Sequence, residues 1–259
     1  MCGRYVLING QVIFAVSAQL QTWRNEGREF DVLPKYDARP TNLMPVVCQR
    51  EGRYAVELMR WTLVPHWSKD GKMLFTTFNA KAETLESSKL FAPYFKGARC
   101  LVPASGFFEW MKYTVEEEVK GKTTSVERKQ KMHIGMKDGS PFMMAGLFSV
   151  WKDAGGEEHP TYTIITTEPN ELLAGIHNRM PVILHPKDYE AWLSRDMHDT
   201  TFLKTLLVPF PADRMQAYPV SNFSEESPTM IEKIDYEPPR GAGLAASTKP
   251  IVSKRPKKK

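Results

Sequence analysis

The chain has 259 residues, of which 42% are hydrophobic and 25% are charged, a balance typical of a globular protein with one large or two small domains. It contains no apolar run long enough to span a bilayer and its start lacks the layout of a secretory signal, so we expect a cytoplasmic protein without a membrane partner. Its 3 cysteines form no CxxC pair, which argues against a disulfide framework or a structural zinc site, and we expect neither a metal nor a cofactor.

The net charge of +5 originates at the carboxyl-terminal end. Residues 248–259 carry six Lys or Arg side chains and no acid, which leaves −1 for the rest of the chain. Because residues 237–259 are also rich in Pro, Gly, Ala and Ser, we predict a single domain over residues 1–236 followed by a disordered basic tail. Such a tail could hold phosphates weakly, or it could serve only as a solubilising end. A specific nucleic-acid site must therefore lie on the body.

The predicted elements begin with an amphipathic helix whose apolar face is formed by Val12, Val16, Leu20 and Trp23. Short runs rich in β-branched and aromatic residues then predict strands, in the order PVVC, YAVELMRW, CLVPA, FFEWMKY, MHIGM, FMMAGLFSVW, TYTIITT and PVIL. The charged segment 114–131 predicts an extended hairpin or a loop insertion.

Two further helices are predicted. One lies in AETLESSKLFAPYF and is broken or ended near Pro93, and the other lies in PKDYEAWLSR, with Pro186 in its first turn. Because strands and helices do not alternate regularly, we predict an α+β fold rather than a doubly wound sheet. The expected architecture is a single domain with a curled, mostly antiparallel β-sheet or open barrel flanked by short helices.

The opening stretch MCGRY places a thiol at the second position. If the initiator methionine is removed, Cys2 combines this thiol with a free α-amine, of which roughly 14% is neutral at pH 7 against about 0.04% for an ordinary lysine. An aldehyde would form an imine with the amine, and the thiol could then close onto the imine carbon to give a thiazolidine. The plain alternative is that Cys2 is merely a small residue after the start. Cys48 and Cys100 lie in apolar contexts and are predicted to be inert packing.

Three further side chains are candidates for proton transfer or positioning. Glu109 lies in the aromatic stretch GFFEWMKY, where burial would raise the pKa of its carboxyl, unless it faces solvent on the polar side of the strand. His177 lies in a loop before PVIL, where catalytic groups often occur, although a loop histidine is more often a surface residue. Asn79 lies where a predicted strand gives way to a helix, so by itself it is a candidate N-cap.

Taken together, these stretches resemble the SOS-response-associated peptidase (SRAP) family of abasic-site sensors. The motifs MCGRY, WTLVPHWSKD, FNAKAET, CLVPASGFFEW, HNRMPVIL and AYPVS occur in the family's order and span essentially the whole body. The resemblance implies binding to single-stranded DNA that contains an abasic site, and a thiazolidine crosslink between Cys2 and the aldehyde of the ring-opened sugar. It also implies that Asn79 orients the amino terminus or the linkage, that Glu109 transfers protons, and that His177 assists ring opening and reversal of the crosslink. The family name reflects a proposed self-processing peptidase activity that exposes the cysteine. We expect a monomer.

The resemblance further implies which residues contact DNA. They are four phosphate-binding cations, Arg4, Lys81, Lys89 and Arg179, and two apolar residues that stack on or wedge beside bases, Pro40 and Trp67. Lys81 and Lys89 stand where many family members have arginine, so the charge is kept but the bidentate fork is lost. A Trp67 packed in the core is the alternative to stacking.

Three other functions stay open at this point. An N-terminal-nucleophile amidotransferase would use Cys2 on the amide of glutamine, with a partner synthase domain for which we expect no room. A cysteine protease would pair Cys2 with His177. A plain single-strand binder would rely on the basic tail and on aromatic residues, and it would leave no covalent product.

Overall fold

The structure is a computed structural model that describes residues 2–10, 13, 34–50, 52–72, 76–119, 122–222, 225–236 and 243–244. The predicted first helix and its face lie outside the described residues. The strands are β1 (Tyr5–Leu7), β2 (Lys35–Ala38), β3 (Leu43–Arg50), β4 (Arg53–Trp61), β5 (Asn79–Lys81), β6 (Arg99–Ala104), β7 (Gly106–Val119), β8 (Lys122–Met136), β9 (Phe142–Lys152), β10 (Glu158–Thr167), β11 (Met180–Pro181), β12 (Ile183–Leu184), β13 (Met215–Pro219) and β14 (Gly243–Leu244). The α-helices are α1 (Ala92–Gly97), α2 (Glu171–Ala174), α3 (Tyr189–Leu193) and α4 (Thr200–Thr205). Short 3-10 turns cover Ala82–Thr84, Pro186–Asp188, Ala212–Arg214 and Pro228–Ile231.

Five strands close into a barrel in the order β10-β4-β3-β6-β9, because β9 pairs in turn with β10. The pairs are antiparallel except β4 with β10, which is parallel, so the barrel is mixed. Strand β6 is buried along its whole length, as expected for an apolar strand of a small barrel. Cys48 on β3 and Cys100 on β6 are cross-strand partners, both fully buried, which confirms that they are packing residues.

A second, antiparallel sheet runs in the order β13-β8-β7-β1-β2. Strands β7 and β8 form a long hairpin from Phe107 opposite Ile134 to Val119 opposite Lys122. This confirms the extended hairpin predicted over residues 114–131. The predicted tail lies outside the described residues except for β14, which pairs with Tyr113 and Thr114 on β7.

The two faces of this second sheet are covered by different clusters, as the alternation of side chains along a strand requires. Tyr5 and Phe107 on the inner face belong to the main core, which also fills the barrel. Val6 and Phe108 on the outer face belong to a smaller cluster. The hydroxyl groups of Tyr5 and Tyr162, 2.8 Å apart, join the inner face to strand β10 of the barrel.

The fold confirms the predicted class, a mostly β single domain with few short helices around a curled sheet. The helix predicted in AETLESSKLFAPYF is interrupted: the segment forms the 3-10 turn Ala82–Thr84 and then α1, and Pro93 lies in the first turn of α1 instead of ending a helix, because that turn does not need the N–H that proline lacks. Pro186 lies at the start of the 3-10 turn that leads into α3, as predicted. None of the helices that the structure describes is long and apolar enough to cross a membrane.

Candidate active site

Strand pairing brings Cys2 beside Glu109. Tyr5 lies opposite Phe107, and the backbone N–H of Phe108 donates to the carbonyl oxygen of Arg4 over 2.9 Å. The residues that precede β1 therefore run alongside the next residues of β7. Cys2 is fully buried and Glu109 is only 3% exposed, so the alternative in which Glu109 faces solvent is wrong.

The carboxyl group of Glu109 titrates near neutrality. Burial raises its pKa to about 7, although the positive charge and hydrogen bonding of the chain's α-amino group and the backbone N–H of Trp110 act in the opposite direction. A carboxyl with this pKa exchanges a proton readily at physiological pH, which is the property that a general acid or base needs.

His177 completes the cluster from the loop after α2. Its backbone N–H donates to the carbonyl oxygen of Leu173, and Asn170 caps α2 by accepting from Leu173 N. The backbone N–H of Arg179 donates to His177 Nδ1 over 3.1 Å, whereas the carbonyl oxygen of Arg179 lies farther from Nδ1, at 3.3 Å, so the shorter contact favours the tautomer with its proton on Nε2. Nε2 lies 3.8 Å from Glu109 Oε2.

The Glu109–His177 contact is not a permanent ion pair. Burial and the α-amino charge lower the pKa of His177 to about 4, so its imidazole is neutral at pH 7. The pKa of Glu109 moves in the opposite direction, because burial disfavours both charged forms. The two groups therefore form a neutral donor beside a carboxyl that gains and loses its proton near pH 7.

The Cys2 thiol is held in its protonated form. Burial is the main cause that raises its pKa, and the nearby Glu109 carboxylate adds to the effect. Reactive cysteines that attack as thiolates require the opposite, a lowered pKa in an electropositive setting.

Asn79 lies in a strand and does not cap a helix. It begins strand β5, opposite Ile164 of β10, and Lys81 precedes the 3-10 turn as its cap, so the N-cap interpretation was wrong. Its Nδ2 donates to the carbonyl oxygen of Phe78, and its buried Oδ1 accepts no hydrogen bond from the described residues. Asn79 Oδ1 is therefore a buried oxygen that can accept a hydrogen bond from a bound substrate or from the amino terminus.

The predicted DNA contacts divide into exposed and internally paired residues. Trp67 is 61% exposed, so packing in the core is excluded for it. Lys81 and Lys89 are also exposed, and Pro40 is half-buried in the turn before Thr41, whose φ of 80° lies in the left-handed region.

Arg4 and Arg179 are bound to carboxylates. Arg4 donates to both carboxylate oxygens of Asp37 and stacks over the ring of Trp110 at 5.5 Å. Arg179 donates to both oxygens of Glu83, over 2.8 and 2.9 Å, and to the carbonyl oxygen of Thr166. Sequence reasoning missed both acids: Asp37 lies in none of the quoted motifs, and Glu83 lies in FNAKAET, where attention went to Asn79 and Lys81.

One group of side chains has the composition of a metal site. Ligand atoms of Asp153 and Glu157, in the turn between β9 and β10, and of His159 at the start of β10 lie within 4.8 Å of one another. The Asp153 carboxylate already accepts the backbone N–H groups of Gly155 and Glu157 and contacts His159 Nε2. These hydrogen bonds stabilise the turn of the β9–β10 hairpin, and this explains why the three side chains lie close together.

Comparison with known proteins identifies the family. A sequence model described as SOS response associated peptidase (SRAP) matches residues 1–225. The chain belongs to this family. The family members similar to it include the abasic site processing protein YoqW of Bacillus subtilis, 34% identical over 236 residues that cover 90% of this chain and 99% of YoqW.

An animal protein and a solved structure are also similar to this chain. The abasic site processing protein HMCES of Gallus gallus is 30% identical over 258 residues, which cover 90% of this chain and 75% of HMCES. A crystal structure of a protein from Bacteroides thetaiotaomicron has a TM-score of 0.72 and 27% identity, covering 90% of this chain and all of the other. The resemblance inferred from the motifs is confirmed at the level of the family.

Proposed function

We propose that this protein processes abasic sites in single-stranded DNA by forming a thiazolidine crosslink through Cys2, after removal of Met1. The proposal rests on one observation: the fold places Glu109 and His177 beside the buried Cys2 near the amino terminus. The names of the relatives YoqW and HMCES support the substrate.

The thiol and the amine have different tasks in this scheme. Because burial keeps the thiol protonated, the α-amine attacks the aldehyde carbon first. Glu109, with a pKa of about 7, takes the proton of the ammonium form, whose reference pKa is near ~7.8. The closeness of the two pKa values makes this transfer nearly balanced.

The crosslink then forms in two steps. The carbinolamine loses its hydroxyl as water, with Glu109 returning a proton to the hydroxyl and then taking the proton of the nitrogen, so that a neutral imine results. The Cys2 sulfur adds to the imine carbon and its proton moves to the imine nitrogen, which closes the thiazolidine ring. The net reaction joins aldehyde and aminothiol with loss of one water.

His177 supports the sugar chemistry. Its neutral ring presents the Nε2–H toward Glu109, so it can donate to the sugar ring oxygen during ring opening or to the linkage during reversal. The free acceptor of Asn79 is suited to hold an N–H of the amino terminus. Exposed Trp67 offers a stacking surface that needs no base sequence, and exposed Lys81 and Lys89 offer charge for phosphates.

The rival chemistries fit the site less well. A protease dyad needs a Cys2 thiolate beside a charged His177, whereas burial raises the pKa of the thiol and lowers that of the imidazole. An amidotransferase would release ammonia from glutamine, and a plain single-strand binder would leave no product that survives denaturation.

Intact-mass measurement of the full chain before and after exposure to an oligonucleotide with one abasic site tests the proposal. We expect the mass without Met1, and after exposure the sum of protein and DNA minus one water, in an adduct stable to heat and detergent. Cys2→Ala should abolish this adduct, whereas the matched variant Cys48→Ala should keep it. A stable adduct in Cys2→Ala, or on a chain that retains Met1, would refute the mechanism.

A further inference from the structure

The outer face of the second sheet contains a buried lysine that the proposed chemistry does not use. Lys131 on β8 lies opposite Trp110 on β7 and is only 1% exposed. Its Nζ lies 4.0 Å above the centre of the Phe108 ring. Within the described part of the chain, no carboxylate forms an ion pair with it.

The nearby acids are already engaged. Arg4 and Arg39 both donate to the carboxylate of Asp37, which is 3% exposed. Glu226 accepts from Lys35 Nζ over 2.7 Å and from the backbone N–H groups of Tyr36 and Asp37. Arg4 and Arg39 therefore both occupy the carboxylate of Asp37, and the charges of these three groups act on Lys131.

We propose that Arg4, Arg39 and Lys131 form a phosphate-binding site on this outer face, here called the outer-face anion site. A buried ammonium without a counterion costs free energy, and an anion that touches all three cations removes this cost. Burial is the main cause that lowers the pKa of Lys131 to about 8, and the charges of Arg4 and Arg39 act in the same direction. The imidazole of His133, which packs against the same Phe108 ring, adds no charge, because burial and Lys131 lower its pKa to about 4.

The two arginines are the members of the group that solvent reaches. The Arg39 side chain is 59% exposed and that of Arg4 is 21% exposed, whereas Lys131 is buried, so an anion from solvent would meet the arginines first. Planar guanidinium groups suit the oxygen atoms of a phosphate.

The position of the site favours a phosphate of the DNA strand. Arg4 is two residues from Cys2, which is about 7 Å along an extended chain. A strand crosslinked at Cys2 would therefore place a phosphate next to the lesion near Arg4. This part of the inference rests on the proposed function, whereas the affinity for phosphate does not.

The first experiment uses inorganic phosphate as the probe and thermal unfolding as the measurement. Phosphate should raise the Tm of the wild type and of Lys129→Met, an exposed control on the same strand, but not that of Lys131→Met. Arg39→Gln should lose most of the increase in Tm that phosphate produces. Because this variant changes an exposed residue, it replaces Lys131→Met in the test if Lys131→Met does not fold. Equal shifts in all four proteins would overturn the site.

The second experiment assigns the phosphate to its source. A set of single-stranded oligonucleotides contains a non-crosslinking abasic analogue. Each member carries one uncharged methylphosphonate, at a different position around the analogue. At one position the substitution should weaken binding to the wild type about tenfold, and it should have no effect on Lys131→Met. The slope of log affinity against log salt should fall by about 0.7 in that variant. If no position depends on Lys131 while inorganic phosphate still binds, the site takes free phosphate and not DNA.

Failure of this inference is distinguishable from failure of the proposed function. Lys131→Met should still form the heat-stable adduct when the abasic DNA is saturating. A wild type that binds phosphate but forms no adduct would refute the crosslinking proposal and leave the outer-face anion site intact.

Discussion

The two faces of the β7–β8 hairpin each bury an ionisable side chain, and they treat it in opposite ways. On the inner face, burial raises the pKa of Glu109 to about 7, beside a neutral His177. On the outer face, burial lowers the pKa of Lys131 to about 8, beside two arginines that share Asp37. The inner face holds groups that exchange protons near neutrality, and the outer face holds positive charge in excess.

This difference shows how the two faces of one hairpin can separate proton transfer from anion binding. Proton transfer needs groups whose two forms have similar free energies at working pH. Phosphate binding needs charges that persist, and these are best supplied by arginine. Since successive residues of a strand point to opposite faces, one hairpin can supply both environments a few ångströms apart.

The largest expected effect follows from removing the inner-face acid. Glu109→Gln should slow crosslink formation about a hundredfold, because general acid–base groups typically contribute at least this much. In the wild type the rate should rise with pH through about 7 as Glu109 ionises, and this limb should be absent from the variant. Single-turnover rates over a range of pH provide the measurement, and an unchanged profile would remove Glu109 from the chemistry.

The second effect concerns the pH dependence of stability on the two faces. Glu109 has a pKa raised from 4.5 to about 7, so its contribution is fully present below pH 4.5 and is lost as pH rises through 7. This loss is on the order of 3 kcal/mol. Lys131 has a pKa lowered from 10.5 to about 8, so the free energy of unfolding rises again between those values.

Denaturant unfolding in buffers free of phosphate tests these opposite slopes. His177 and His133, whose lowered pKa values add stability as pH rises toward 6.5, are present in all the proteins, so the variants are compared with the wild type at each pH. Relative to the wild type, Glu109→Gln should gain stability between pH 4.5 and 7 and keep the alkaline slope. Lys131→Met should lose the alkaline slope and keep the profile below pH 7. Identical profiles for the two variants would show that the faces are not electrostatically distinct.

A smaller effect is expected from Glu83→Gln. Arg179 is held by Glu83 and Thr166, and its backbone N–H fixes the His177 ring. Loosening Arg179 should slow crosslinking about threefold to tenfold, since one hydrogen bond to a charged group is weakened. The salt dependence of DNA binding should stay unchanged. Tighter, more salt-dependent binding in Glu83→Gln would instead show that Arg179 is a phosphate contact masked by Glu83.

The smallest effect should come from the basic tail. Truncation after Leu244 keeps β14 on β7 and removes all six cations of residues 248–259. We expect an unchanged yield and rate of adduct at saturating DNA, with only weaker binding at low salt. A crosslink that depends on the tail would contradict the placement of the specific site on the body.

Much of the strand pattern could be predicted because it is a local property. The runs PVVC, CLVPA and TYTIITT became β3, β6 and β10, and the charged segment became the extended hairpin. The parallel pairing of β4 with β10, which closes the barrel, carries no local signal, because it joins strands separated by a hundred residues. Pro93 was misassigned because proline both ends and begins helices, and the surrounding packing decides between them.

For the candidate site, the sequence predicted the residues but not their charge partners. Cys2, Glu109 and His177 lie in motifs, and the structure brings Glu109 beside both the amino terminus and His177. The pairings of Arg4 with Asp37 and of Arg179 with Glu83 could not be read from the chain, since each joins residues more than thirty positions apart.

By itself, the sequence determined two things. It places at position 2 a cysteine that can present both an amine and a thiol, and its motifs occur in the order typical of the SRAP family. Only the tertiary structure decided that Glu109 is buried on the inner face, that Cys2 keeps its proton, and that Lys131 is buried near two arginines that already bind Asp37. The physical reason is that a side chain's type is written in the chain, whereas its pKa and its charge partners depend on the solvent that folding removes and on the distant groups that folding brings near.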